Sequence, residues 1–146
     1  MFFNVLGLAP GTSGKEILET GPLYLQNRYP HVLQIEKVLE IASETGSFVV
    51  KTNKAIYISK EVVVAVGYTD LMKIKGLEKY IIPHKKALAA KNKIQLINSD
   101  HLIERGLYVA GILAGHRSQY AIACGSGAAV ATWKNAYHAV VHDKLE

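Results

Sequence analysis

The chain reads as an α/β domain, and three stretches carry that expectation. Residues 61–67 carry a β-branched run, Val62-Val63-Val64 with Val66, the mark of a strand buried on both faces. Residues 107–110 form a second short apolar run that stops at Gly111, where a backbone passes close to a neighbour. Residues 119–132 follow as a helix of mostly small side chains, suited to close packing.

The other elements fall in order around these. A Gly- and Pro-rich loop spans residues 8–12, and Ser13 with Glu16 then matches a capping box, Ser13 capping the helix and Glu16 reaching back to its N–H. That helix is expected to run to Thr20, where Gly21-Pro22 breaks or restarts it in a second segment ending near Tyr29-Pro30. Residues 31–41 read as extended, although residues 36–40 fit a helical turn as well. Residues 47–52 are a strand, Asn53-Lys54 a hairpin turn, and residues 55–58 the returning strand. Residues 94–97 suit a short strand, and residues 83–93 a helical or irregular surface segment. The last helix is expected over residues 117–141. Strand, hairpin, strand, loop, strand and helix make an α/β domain with an added antiparallel ribbon.

With 146 residues and no repeat, low-complexity tract or linker, the chain reads as one domain over residues 1–146. No apolar run reaches the length of a membrane span, and residues 1–6 lack the features of a signal peptide, so a cytoplasmic protein is expected. The one cysteine, Cys124, excludes an internal disulfide and a Cys-x-x-Cys dithiol, and its Ala- and Gly-rich surroundings suggest a small buried thiol. The six histidines are scattered; His138 and His142 form the one helical i, i+4 pair, which reads as a solvated face rather than a metal site. The formal charge of +5 gathers at Lys73, Lys75, Lys85, Lys86, Lys91 and Lys93 without interleaved aromatics. That argues against nucleic acid and for solvated lysines that favour anionic ligands.

Four stretches, in order, resemble the FAD domain of thioredoxin-reductase-like FAD/NAD(P)-binding flavoproteins, in the pyridine nucleotide-disulfide oxidoreductase superfamily. Residues 46–67 match the ribbon that feeds a strand ending in Ala-Thr-Gly, here Ala65-Val66-Gly67. Residues 71–78 match the segment that follows, and residues 106–111 match the Gly-x-Tyr-x-Ala-Gly strand end. Residues 119–131 match the final helix, and the capped helix at residues 13–18 has its own counterpart.

The resemblance implies a Rossmann-like FAD-type domain, incomplete at its N-terminus, with an antiparallel ribbon and a long C-terminal helix. It also implies FAD as cofactor, with Ala65, Val66, Gly67, Gly111, Ile112, Gln119, Tyr120 and Ala121 as the binding residues, Gln119-Tyr120 standing beside the flavin ring. The physical logic agrees, because open α/β sheets bind ligands beyond the carboxyl ends of neighbouring parallel strands, and Gly67 and Gly111 are expected to end two of them.

Several family features are missing. No Gly-x-Gly-x-x-Gly turn precedes the ribbon, Ile112 replaces the family's Asp, and both the dithiol and the NADPH domain are absent. The expected function is therefore a flavin-binding protein, an oxidoreductase or electron-transfer component if it turns over, with no catalytic residue named. The alternative is a non-enzymatic module of the same fold that acts by partner binding or self-association. The missing first strand would leave a gap in the sheet, so a homo-oligomer or a protein partner completing the sheet is expected.

Overall fold

The computed structural model describes residues 1–3, 5–67, 73–86 and 92–142, the stretch 133–142 as backbone alone. The chain divides into two compact units, Met1–Glu36 and Lys37–Glu146.

In the first unit, Phe2 and Thr12 form an antiparallel bridge that closes the Gly- and Pro-rich loop. Helix α1, Gly14–Arg28, begins where its capping signal lies, the Glu16 N–H donating to the Ser13 hydroxyl at 3.1 Å. It does not stop at Thr20. The two segments on either side of Gly21-Pro22 run as one helix with Pro22 inside it, which forgoes one backbone hydrogen bond. None of its residues is buried.

The second unit carries eight strands in three small sheets among the described residues. Strands β1 (Val38–Glu44), β2 (Ser47–Thr52) and β3 (Ile56–Ser59) form an antiparallel sheet. The β2–β3 turn at Asn53-Lys54 is fastened by one local contact and one from Lys37. The Thr52 hydroxyl accepts from the Ala55 N–H at 2.9 Å, and the Asn53 side-chain oxygen accepts from the Lys37 N–H at 2.8 Å. Its registers place Ile41, Val50 and Tyr57 in one cross-strand row and Ser43, Phe48 and Ser59 in another, the face that turns Ile41 and Phe48 into the core. The opposite face holds the rows Ala42–Val49–Ile58 and Glu40–Lys51–Ile56.

The second sheet has the order β4 (Val62–Val64), β8 (Leu107–Val109), β7 (Leu102–Glu104), with β4 and β8 parallel and β7 and β8 antiparallel. The third is the two-stranded ribbon of β5 (Ile81–Pro83) and β6 (Ile94–Leu96). Helix α2 is Tyr120–His142. No helix among the described residues is long and apolar enough to cross a membrane.

This architecture corrects the expected fold class. A Rossmann-like FAD domain is a parallel sheet covered by helices on both faces; here three short sheets share one core, and a single strand pair is parallel among the described residues. The β-branched run of residues 61–67 is not the central strand. Only Val62–Val64 is strand, it lies at the edge, and Val63 is 48% exposed. The central place belongs to β8, whose three residues are all buried. On its other side β8 pairs with β7, folded back through the turn at Arg105-Gly106. The main core gathers Ile41, Phe48, Val64, Leu77, Leu96, Leu107, Val109 and Leu113 from all three sheets and the turns between them.

Candidate functional site

The parallel pair β4 and β8 sets the frame. Val62, Val63 and Val64 stand beside Leu107, Tyr108 and Val109, and the Ala110 N–H extends the ladder to the Val64 carbonyl at 2.9 Å. Both chains then leave the sheet at the same edge, through Ala65-Val66-Gly67 and through Gly111. Ala65 and Gly67 are exposed and Gly67 faces open space, whereas Val66 packs on the core. Gly111 also has open space where a side chain would begin, but its N–H donates to the Ser126 hydroxyl at 2.7 Å. The amide that would meet a nucleotide is thus satisfied from within the chain. Ile112, in the position of the family's Asp, lies in the 3-10 turn Gly111–Ala114 and packs on the core.

At the start of α2, the Gln119 carbonyl accepts from the Ala123 N–H at 2.9 Å, and Gln119 and Ala121 are exposed. Tyr120 faces Cys124 one turn on, and hydrogen bonding to that thiol, with its charge, raises the phenol pKa. Cys124 is exposed, not a buried core thiol. The helix also docks by a face other than the expected one. Among its described residues Ser126 and Val130 are buried, the latter against Tyr108 and Ala110, while Ala129 is half-buried and Ala121, Gly125 and Ala128 are exposed. Ala121, Gly125 and Ala128 therefore serve no close approach to the sheet, which Ser126 makes instead. The His138–His142 pair lies outside the residues whose side chains are described.

A polar cluster that sequence reasoning missed lies just beyond this edge. His101, 5% exposed, donates from Nδ1 to the Val109 carbonyl at 2.9 Å, since a carbonyl oxygen only accepts. Its ring lies 5.2 Å from that of His116. His84, 8% exposed, bridges two loops, with Nε2 donating to the His116 carbonyl at 3.2 Å and Nδ1 accepting from the Lys86 N–H at 3.1 Å. Burial lowers the His116 pKa, and the charges of His101 and Lys86 lower it further against the opposing pull of Asp100. Three histidines from separate loops leave no spacing in the sequence to find; the one local sign is the left-handed backbone at Asp100-His101, which shows only in the structure.

At the opposite, amino edge of the pair, a cavity of about 550 Å³ opens between the β1–β2 turn, the β3–β4 link and the β7–β8 turn. Lys60, Arg105 and Glu44 line its mouth, and Phe48 and Tyr108 line it deeper. The expected site residues do not reach it.

No family model matches the chain, and no curated protein matches it. Among solved structures it is similar to a ferredoxin-flavin thioredoxin reductase from Clostridium acetobutylicum, with a TM-score of 0.62 and 16% identity over 99% of this chain and 84% of that one. At that identity the likeness is one of fold and carries no activity or cofactor with it. These findings correct what the resemblance implied. Membership of the pyridine nucleotide-disulfide oxidoreductase superfamily finds no matching family model, and the similar structure is named for ferredoxin rather than for a pyridine nucleotide. The flavin-binding oxidoreductase function inferred from that membership, together with its non-enzymatic alternative on the same fold, is left without support from any match, and Ser126 and the core occupy Gly111 and Ile112.

Proposed function

We propose that this protein works as a self-associating unit in the cytoplasm, pairing with a second copy through the outer face of the β1–β2–β3 sheet. The observation that carries the proposal is the exposure of that face: Ile56 is 66% and Ile58 75% exposed on an edge strand. An edge strand with apolar side chains is a template for association unless something covers it. The cross-strand rows favour a copy of the same chain. Ala42, Val49 and Ile58 form an apolar row, and Glu40 and Lys51 stand opposed in the next. Under a two-fold axis, Lys51 of one copy meets Glu40 of the other while the apolar rows pack together, the self-complementarity an isologous interface needs. The exposed thiol of Cys124 suits a reducing compartment.

Light scattering coupled to size-exclusion chromatography tests this. The expected mass is that of a dimer, and Ile58→Glu is expected to give a monomer with an unchanged circular dichroism spectrum. A monomeric parent protein, or an Ile58→Glu variant that remains dimeric, overturns the reading.

A further inference from the structure

The cavity at the amino ends of β4 and β8 stands apart from both the expected site and the self-association face. Gly106 holds it in shape. The Gly106 carbonyl accepts from the Val62 N–H at 2.8 Å, and a Cβ on Gly106, where φ is +84°, would lie 2.7 Å from the Lys60 carbonyl and 2.9 Å from the Phe48 ring. The β3–β4 link and the β7–β8 turn are thereby locked side by side, which puts Lys60 and Arg105 at one mouth. Neither side chain has an ion-pair partner among the described residues.

Deeper in, the chemistry changes. Phe48 and Tyr108, 3% and 4% exposed, line the cavity, and a hollow of about 30 Å³ adjoins it, sharing Ser43, Phe48 and Glu104 and reaching Leu77 and Leu107. Glu104 stands at this junction with one oxygen fixed. Its Oε2 accepts from the Tyr80 hydroxyl at 2.5 Å and lies 3.9 Å from Lys79 Nζ, while Oε1 has no partner among the described residues. Burial raises the Tyr80 pKa and the hydrogen bond to Glu104 raises it further, so the phenol remains a donor and the carboxylate keeps its place.

We propose that this cavity binds a small zwitterion of the amino-acid or dipeptide class, its carboxylate at Lys60 and Arg105, its ammonium at Glu104 and its apolar side chain over Phe48 and Tyr108. Each alternative meets an obstacle on the lining. A polyanion would face the carboxylates of Glu44, Glu61 and Glu104. A purely apolar ligand would strip water from Lys60, Arg105 and Glu104 and return no hydrogen bond, a cost that burial of its surface would have to exceed. A zwitterion satisfies both signs of charge and leaves its side chain for the apolar part of the lining. The volume lies within the ~300–1,000 Å³ usual for small-ligand pockets.

The test is calorimetric titration of the full chain with L-phenylalanine and with the dipeptide phenylalanyl-leucine, alongside N-acetyl-phenylalanine and phenylalaninamide, which lack the ammonium and the carboxylate respectively. Saturable binding is expected for one of the two zwitterions, and which one binds identifies the ligand's source. Each blocked analogue is expected to bind at least about tenfold more weakly, as the loss of a charge-assisted hydrogen bond implies. Glu104→Gln and Arg105→Ala are expected to weaken the zwitterion by a similar factor. Arg105 is exposed, so its variant answers the question even if Glu104→Gln disturbs Tyr80. Absence of saturable binding by both zwitterions overturns the proposal, as do blocked analogues that bind equally well, or an unchanged affinity in a folded Arg105→Ala variant.

Discussion

His116 and Gly106 show how single residues set the behaviour of this chain. The His116 pKa in the folded protein lies below its ordinary value of 6.5, because burial and the charges of His101 and Lys86 disfavour the imidazolium. The unfolded chain therefore binds the proton more readily, and stability present above that ordinary value is lost as pH falls through the folded-state pKa. The melting temperature is expected to drop as pH is lowered from about 7 to about 5, and His116→Gln to remove part of the drop. A scanning-calorimetry pH series reads both; an identical slope in the variant would overturn the assignment to His116. At Gly106, a methyl group would meet the Lys60 carbonyl and the Phe48 ring while forcing a side chain into a left-handed backbone. Gly106→Ala is expected to cost about 2 kcal/mol or more in urea unfolding, with an unchanged m-value.

Elements with a local signal, a cap, a turn or an apolar run, were legible, and those marked by distant contacts alone were not. The start of α1 could be read because Ser13 and Glu16 lie three residues apart and their hydrogen bond is local. Ser13→Ala is expected to cost the helix about 1 kcal/mol, seen as lost far-ultraviolet helical signal, and no buried face of α1 offsets it. The β2–β3 hairpin could be read for the same reason, since Thr52 caps its own turn. Strand β7 was missed because it is three residues long and formed by its pairing with β8. Helix α2 showed its small residues, but composition does not say which stripe docks, and the contact fell on Ser126 and Val130. At the expected site, the end of β8 just before Gly111 was visible in the sequence, whereas β4 stops at Val64, three residues short of Gly67. The hydrogen bond that occupies Gly111 was not, because Ser126 lies fifteen residues further on. Strand ends in Ala-x-Gly occur in many sheets, which is how motifs in a familiar order pointed to a family that no model supports.

On the scale of the whole molecule, burial is unevenly shared between the two units. Every buried member of both core clusters, and every partly buried side chain packed on them, lies at Val38 or beyond. The unit Met1–Glu36 contributes none, and Leu18, Leu23, Tyr24, Tyr29 and Ile35 within it are exposed. A short helix that buries no side chain draws its stability from propensity and capping alone, and is marginal in water. The second unit, by contrast, holds its three sheets around one core built from its own residues. A chain of residues 37–146 is therefore expected to fold alone and to melt cooperatively within a few degrees of the parent, the shift corresponding to less than about 1 kcal/mol. Amide hydrogen exchange on the parent is expected to agree, with protection concentrated in β2 and β8 and little in α1. If residues 37–146 alone fail to fold, or if α1 exchanges as slowly as β8, the first unit is part of the cooperative structure and its exposed leucines and tyrosines are covered in solution.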